Sequence, residues 1–255
     1  MARIIAVVNQ KGGVGKTTTS VNIAASLSAT KRKTLLVDLD PQGNATSGSG
    51  VDKENVELSI YDLLVETQGV RNCILPDVAA GYDLIPSNSD LTGSEVALLD
   101  MPDREYLLEK ALRSIEADYS YIFIDCPPSL NMLTINALVS ADSLLIPAQC
   151  EYYALEGLSS LMSTIETIKV SLNPSLKIDG LLRTMFDPRN NLALEVSKQL
   201  TDHFGDLVYR TVIPRNIKLA EAPSHGLPAL LYDRSSSGAA AYLALAGEML
   251  RKESA

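Results

Sequence analysis

The chain has 255 residues, 46% of them hydrophobic, and a formal net charge of −9, which argues against a generally basic nucleic-acid-binding protein. It is long enough to bury a sizeable core, and no stretch approaches the ~20 apolar residues that a membrane-spanning helix needs. The three cysteines include no CxxC pair and predict neither a disulfide framework nor a zinc site, so a reducing cytoplasm is the expected compartment.

Seven short runs rich in branched aliphatic residues predict buried strands, at residues 4–8, 34–38, 82–86, 121–125, 143–147, 178–185 and 207–213. Helix-like segments lie between and after them, at residues 16–29, 104–117, 134–141, 155–172, 192–203 and 239–252. Because the strand runs are continuously hydrophobic, the sheet should be covered on both faces. The alternation predicts an α/β fold with a mostly parallel central sheet and helices on both faces, in one domain over residues 1–255.

A glycine-rich segment, NQKGGVGKTTT, joins the first predicted strand to the first predicted helix. It ends as the phosphate-binding pattern GxxxxGK(S/T) does, although Gln10 stands where that pattern has its first glycine. This context is typical of a P-loop NTPase domain, in which backbone N–H groups surround a phosphate, Lys16 reaches the β- and γ-phosphates and Thr17 ligates Mg²⁺. A glycine-rich turn with an incidental lysine is the alternative. The predicted nucleotide-binding residues of the loop are Gly12, Gly13, Val14, Gly15, Lys16, Thr17 and Thr18.

Carboxylates follow two other predicted strands. The run YIFID ends at Asp125, which is predicted to hold a magnesium-bound water. Asp38 and Asp40 follow the run TLLV, and Asp40 is the candidate for orienting the attacking water. Asp38 is a further candidate for holding Mg²⁺ through water, with a capping or turn-forming role as the equal alternative. Because the NKxD segment of GTPases is absent, ATP is the expected nucleotide.

Several longer segments carry a resemblance to a known family. KGGVGKTT, with its lysine ahead of the glycines, resembles the deviant Walker A motif of the ParA/MinD class of P-loop ATPases. DLDPQGNAT and IDCPPSL resemble the switch I region and the Walker B end of that class. QCEYYALEGL and VIPRNIKLAEAPSHG resemble the ParA/Soj chromosome-partitioning ATPases in particular, so the resemblance extends from Asn9 to about Gly226.

The resemblance implies an ATPase that works as a homodimer with ATP and Mg²⁺ as cofactors. In this class two ATP-bound subunits form a sandwich, and the signature lysine, here Lys11, reaches the phosphates of the partner. Lys11 therefore joins Lys16 and Asp40 as a catalytic residue and is also a nucleotide contact. Further nucleotide contacts are implied at Pro214 and Asn216, which would hold the adenine, and at Glu151, which would contact nucleotide across the dimer.

DNA is the next implied partner, because ParA dimers bind double-stranded DNA without sequence preference through basic residues of both subunits. The matching positions here are Arg189, Arg215, Lys218 and, as a weaker candidate, Arg234. Residues 181–255 hold nine Lys/Arg and eight Asp/Glu, whereas the first 180 hold 13 and 23, so the C-terminal part repels an anionic polymer least. For each of the four basic candidates, the alternative is an ordinary solvated surface charge. The resemblance further implies association with the nucleoid and a centromere-binding partner of the ParB/Spo0J type that stimulates hydrolysis.

Two features refine the subgroup. The chain starts almost at the first predicted strand, so we expect it to lack the N-terminal helix-turn-helix extension of some plasmid ParA proteins. The C-terminal segment GAAAYLALAGEMLRKESA has only Arg251 and Lys252 as cations, which favours core packing over a membrane-surface helix. We therefore expect no membrane partner.

Three alternative functions are weighed against this interpretation. One is a MinD-like ATPase that cycles on membranes. Another is an iron–sulfur reductase like the nitrogenase iron protein, which needs cysteines at a dimer axis, whereas Cys126 and Cys150 are expected to be buried packing residues. The third is a metabolic kinase, which is disfavoured because no second-substrate motif stands out.

Overall fold

The computed structural model describes residues 1–78 and 81–253, and within them eight strands form a single sheet. The strands are β1 (Arg3–Val7), β2 (Thr34–Asp38), β3 (Leu75–Val78), β4 (Tyr82–Ile85), β5 (Tyr121–Asp125), β6 (Ser143–Gln149), β7 (Lys177–Phe186) and β8 (Val208–Pro214). The helices are α1 (Lys16–Ala29), α2 (Asn44–Gly48), α3 (Ile60–Leu64), α4 (Ser94–Ala97), α5 (Leu107–Arg113), α6 (Met132–Ser140), α7 (Ala154–Ser171), α8 (Asn191–Phe204), α9 (Ile217–Glu221), α10 (Ala229–Tyr232) and α11 (Ser237–Glu253). The sheet order is β3-β4-β2-β5-β1-β6-β7-β8, and every pairing is parallel except that of β3 with β4.

Helices cover both faces of this sheet. Along β1, Ile4 and Ala6 point to a core shared with α3 and α5 to α8, whereas Ile5 and Val7 point to a core shared with α1 and α11. Successive side chains of a strand face opposite sides, so a strand buried on both sides must be hydrophobic at every position. The predicted α/β fold, with a mostly parallel sheet and helices on both faces, is confirmed.

All seven predicted strands are present, with ends within two residues of those expected, but the sequence did not predict β3. This strand contains Pro76 and the exposed Asp77, so it lacks a continuous hydrophobic run. It lies at the edge of the sheet, where a proline removes no hydrogen bond from a central ladder.

A helix is predicted over residues 104–117, but α5 covers only Leu107–Arg113. The side chain of Asn136, on α6, hydrogen-bonds to backbone groups at the start of α5. Asn136 Oδ1 accepts from the N–H of Leu108 over 3.1 Å, and its Nδ2 donates to the carbonyl of Arg104 over 2.8 Å. These tertiary hydrogen bonds substitute for part of a helical turn.

The C-terminal helix α11 packs into the core, as predicted. Tyr242, Leu245 and Met249 are buried on it, and the Lys252 ammonium donates to the carbonyl of Asp179 over 3.2 Å. The apolar face of α11 is therefore already covered by protein. Among the helices of residues 1–78 and 81–253, none combines the length and the hydropathy needed to cross a membrane.

Strands β2, β5 and β1 lie side by side and run in the same direction, so their carboxyl ends meet at one edge. Val7 is paired with Asp125, and Asp125 is paired in turn with Asp38. The loop after β1, the carboxylate that ends β5 and the acidic loop after β2 are thereby brought together. Ligands of open α/β sheets bind at this edge.

Candidate nucleotide site

The loop between β1 and α1 turns at two glycines with left-handed backbone conformations. Gly13 and Gly15 have φ angles of 74° and 86°, which side chains with a Cβ rarely adopt. The hydroxyl of Thr184, on β7, donates to the carbonyl of Val14 over 2.8 Å and supports the loop from the side. Because α1 begins at Lys16, the free N–H groups of its first turn lie where the loop ends. The segment thus has the geometry of an anion-binding loop.

Gln10, which replaces the first glycine of the common pattern, ties this loop to α7. Its Nε2 donates to Oγ1 of Thr164 over 3.3 Å, and its Oε1 accepts from Oγ of Ser160 over 3.4 Å. Both partners lie on the same face of α7, four residues apart. A glycine at position 10 has no side chain to make this link.

Lys16 is 7% exposed, and its ammonium donates to the carbonyl of Lys11 over 3.4 Å. Burial lowers the pKa of Lys16, whereas the nearby Asp125 carboxylate acts to raise it. A buried ammonium held by one long hydrogen bond to a carbonyl is poorly solvated. A phosphate in the loop would therefore stabilise its charge.

Asp125 and Asp38 are fully buried neighbours at the ends of β5 and β2. Burial raises the pKa of both carboxyls, and the charge of Asp38 raises the pKa of Asp125 further. Ser20, one turn after Lys16, donates to Asp125 Oδ1 over 2.7 Å, whereas Asp125 Oδ2 is buried without a hydrogen-bond partner. The Thr17 side chain also lies close enough to Asp125 to lower the pKa of that carboxyl, so these two groups fit Mg²⁺, bound directly or through water.

Asp38, the last residue of β2, and Asp40, two residues later, have different environments. Asp38 Oδ2 accepts from the N–H and the hydroxyl of Thr46, both over 2.7 Å, and Asp38 Oδ1 accepts from the N–H of Asp40 over 3.2 Å. This geometry supports the turn-forming alternative for Asp38, and its contact with Mg²⁺ stays a prediction. Asp40 is partly exposed, and its Oδ1 accepts from the N–H of Gln42 over 2.9 Å. Its carboxylate is thus available to a molecule in the site.

Two adjoining cavities open at the loop. The larger, of about 780 Å³, is lined by the predicted phosphate loop, by Asp40 and by residues 127–129. The predicted residues that line it are Gly12, Gly13, Gly15, Lys16, Thr17, Thr18 and Asp40. Val14 is buried behind the loop.

The smaller cavity, of about 220 Å³, shares Gly15 and Thr18 with the larger one. Pro214, Asn216 and Thr184 line its other sides. The side chain of Asn216 is already used as the cap of α9, since its Oδ1 accepts from the backbone of residues 218 and 219. A planar ring in this cavity would therefore meet the backbone of residues 214–216 more than the Asn216 amide.

Lys11 and Glu151 lie at the rim and contact each other. Lys11 Nζ and Glu151 Oε2 are 2.6 Å apart, and the two side chains are 41% and 47% exposed. Of the residues described, those lining the two cavities do not include Lys11. Within one chain, then, the Lys11 ammonium pairs with Glu151 and lines neither cavity.

Three of the four basic candidates follow the carboxyl ends of β7 and β8 closely in the chain, and Arg234 follows α10. The N–H of Arg215 donates to the carbonyl of Phe186 over 3.3 Å, which joins the loop after β8 to the one that carries Arg189. Two of the four are paired with carboxylates: Arg189 with Asp187 over 2.8 Å, and Lys218 with the carboxylate three residues later over 2.9 Å. Hydrogen bonds from Arg189 lower the pKa of Asp187 to about 2. Arg234 is exposed and follows Asp233, whose pKa is lowered by Ser235 hydrogen bonds and by the charge of Lys218.

Sequence reasoning missed Thr184 and Ser20, which support the loop and Asp125. Ser20 follows Lys16 by one helical turn, a spacing that could have pointed to it, but Thr184 is distant in sequence and carries no local signal. Cys126 and Cys150 are 1% and 5% exposed, as expected for packing residues. A cluster shared between two subunits needs accessible thiols, so this geometry does not supply one.

Comparisons with known proteins agree over nearly the whole chain. A family model described as an AAA domain matches residues 2–178. The sporulation initiation inhibitor protein Soj of Bacillus subtilis is 52% identical over 249 residues, which cover 98% of this chain and 98% of that protein. The chromosome partitioning protein ParA of Myxococcus xanthus is 50% identical over 253 residues, covering 99% of this chain and 89% of that protein. The crystal structure of cobyrinic acid a,c-diamide synthase from Mycobacterium smegmatis, with bound ATP analog and magnesium, is 36% identical and has a TM-score of 0.87, covering 100% of this chain and 97% of that one.

Proposed function

This chain belongs to the ParA/Soj family of chromosome-partitioning ATPases, and we propose that it hydrolyses Mg–ATP in a cycle of DNA binding and release. The observation that carries the proposal is the cavity whose lining combines Asp40 with Lys16 and Thr17. The neighbouring smaller cavity has room for a nucleobase at the end of the same loop. This lining suits a nucleotide whose terminal phosphate lies near a carboxylate.

Each residue of the site has a defined task in this proposal. The loop N–H groups and the Lys16 ammonium bind the phosphates, and Lys16 exchanges its carbonyl partner for a phosphate oxygen. The Thr17 hydroxyl and, through water, Asp125 hold Mg²⁺, which neutralises phosphate charge when bound. Asp40 accepts a hydrogen bond from the attacking water and aligns it with the terminal phosphorus. The new bond joins the water oxygen to that phosphorus, the bond from that phosphorus to the oxygen it shares with the β-phosphate breaks, ADP leaves with that oxygen, and the proton lost by the water passes to the released phosphate or to solvent.

Lys11 completes the site of a second subunit. Its ammonium pairs with Glu151 and lines neither cavity of its own chain, which leaves it available to the phosphates of a partner. In a face-to-face dimer the lysine would leave Glu151 and stabilise charge on the partner's phosphates. ATP then acts as an assembly switch, since two loaded subunits are needed for turnover. Glu151, released by Lys11, becomes free to contact nucleotide across the dimer.

Double-stranded DNA is the proposed ligand of the basic residues around the ends of β7 and β8. Arg215 lines the smaller cavity and also belongs to this group, so nucleotide and DNA sites are adjacent. Arg189, with a side chain 89% exposed, is the most accessible of the residues carrying ion pairs here. In a dimer, two copies of this set of basic residues would form a broader basic surface. Such a surface suits contacts with DNA phosphates that do not depend on sequence. Association with the nucleoid is therefore part of the proposal.

A centromere-binding protein of the ParB/Spo0J type is the proposed partner that stimulates hydrolysis and so releases DNA. This part of the proposal rests on the named relatives, one a chromosome partitioning protein ParA and one a Soj protein. The buried face of α11 supports the DNA cycle over a membrane cycle for the described residues. A liposome sedimentation assay separates the two.

Co-sedimentation with DNA tests the whole proposal. The protein is mixed with unrelated DNA fragments in the presence of ATP, ADP or no nucleotide, over a salt series. We expect ATP-dependent binding that is indifferent to DNA sequence and falls steeply with salt. Phosphate release is measured in the same samples with Mg²⁺ and with EDTA. Equal DNA binding in all nucleotide states, or no Mg²⁺-dependent phosphate release, would contradict the proposal.

A further inference from the structure

A closed ring of hydrogen bonds surrounds the backbone of Asp40. The N–H of Asp40 donates to Asp38 Oδ1 over 3.2 Å, and its carbonyl accepts from Oγ of Ser87 over 2.8 Å. Ser87 N–H donates to Oγ1 of Thr46 over 2.9 Å, and Thr46 Oγ1 donates to Asp38 Oδ2 over 2.7 Å. We call these four residues, Asp38, Asp40, Thr46 and Ser87, the polar ring. It holds both backbone polar groups of Asp40, and the Asp40 carbonyl also accepts from the N–H of Gly43 over 2.9 Å.

The polar ring is rigidly placed. Asp38, Thr46 and Ser87 have no exposed surface, and they come from β2, α2 and the segment after β4. Gly43, which precedes α2, has a φ of 58°, and a Cβ there would lie 2.8 Å from the carbonyl oxygen of Ser87. The Asp40 loop is thus packed directly against the segment after β4. Buried hydrogen bonds that are fully satisfied fix geometry more firmly than exposed ones.

Only the side chain of Asp40 leaves the polar ring, and it lines the cavity that faces the phosphate loop. A carboxylate that orients water must be held within a fraction of an ångström of its productive position. We propose that Ser87 and Thr46 are positioning residues for hydrolysis, acting through the backbone of Asp40. This inference rests on the proposed ATPase function and on the water-orienting role of Asp40. It assigns a kinetic role to a serine 47 residues away from Asp40 in the chain.

Ser87→Ala tests the inference, with Ser49→Ala as the matched control. Ser49 is also a buried serine near α2, but its hydroxyl donates to the carbonyl of Ala45 and contacts the Tyr82 hydroxyl, outside the polar ring. ATP hydrolysis at saturating Mg–ATP, binding of a fluorescent ATP analogue and thermal unfolding are measured for both variants. We expect Ser87→Ala to lower kcat by about 10- to 100-fold. KM and analogue affinity should stay within about twofold, since no ground-state contact is lost.

A second pair of variants keeps the test decisive if Ser87→Ala does not fold. Thr46→Val removes the hydroxyl at nearly constant volume, whereas Thr46→Ser keeps it. We expect Thr46→Val to reproduce the loss in kcat and Thr46→Ser to retain most of the activity. An unchanged kcat in Ser87→Ala or Thr46→Val, or an equal loss in Ser49→Ala or Thr46→Ser, would overturn the inference alone. Failure of the wild-type protein to hydrolyse ATP would instead overturn the proposed function, and the inference with it.

Discussion

The Lys11→Ala variant should lose ATP hydrolysis that depends on dimer assembly, while its folding stability should hardly change. In the single chain, Lys11 makes one ion pair with Glu151, and both side chains are more than two-fifths exposed. Exposed ion pairs contribute about 0–1 kcal/mol, so the variant should lose at most ~1 kcal/mol of stability. For a chain of this size that corresponds to a change in Tm of no more than about 4 °C. If the lysine instead stabilises the partner's phosphates during hydrolysis, its removal should lower kcat by about 10³-fold or more.

The assay compares Lys11→Ala with Lys110→Ala. Lys110 is also an exposed lysine in an ion pair, 2.9 Å from Asp103, but it lies away from the phosphate loop. Both variants should match the wild type in Tm within a few degrees and in binding of an ATP analogue, while only Lys11→Ala should lose hydrolysis. Mixing Lys11→Ala with Asp40→Ala subunits extends the test, because in a mixed dimer the intact Lys11 would serve the site with the intact Asp40. Hydrolysis by Lys11→Ala at a near wild-type rate would refute the reasoning.

Three further predictions follow from the site and the fold. Asp40→Ala should bind ATP and accumulate as an ATP-dependent dimer in gel filtration, with hydrolysis reduced to background; normal turnover would rule out its water-orienting role. Arg189→Glu should weaken DNA retention and reduce the slope of log affinity against log salt by about two per dimer, whereas Arg210→Glu, exposed near the amino end of β8, should not. Glu248 is buried, which acts to raise its pKa, but hydrogen bonds from Thr211 and a neighbouring backbone N–H leave that pKa lowered below 4.5. Glu248→Gln should therefore lower Tm at pH 7, with a deficit that shrinks as pH falls through the lowered pKa; a deficit independent of pH would contradict this.

The phosphate loop and the central strands were predictable from the sequence because their signals are local. Each inner strand is buried on both sides, so its composition alone predicts its location within two residues. Lys16 and Thr17 follow a strand directly, and Asp125 ends one, so their meeting at one edge of the sheet follows from parallel strands. The roles of Lys11, Glu151 and the basic residues came from a family resemblance. Those roles stay predictions, and in the single chain Lys11 pairs with Glu151.

Only the tertiary structure decided how the site is held. Nothing near Gln10 indicates that its amide bonds to α7, 150 residues later, and nothing near Asp40 indicates Ser87. Asn136 likewise shortens α5 from another helix. These links are single hydrogen bonds between groups distant in sequence, and serine, threonine and asparagine make similar bonds in any turn or cap. Their partners depend on which elements the folded sheet brings together, whereas strand hydrophobicity and glycine conformation depend on the residues themselves.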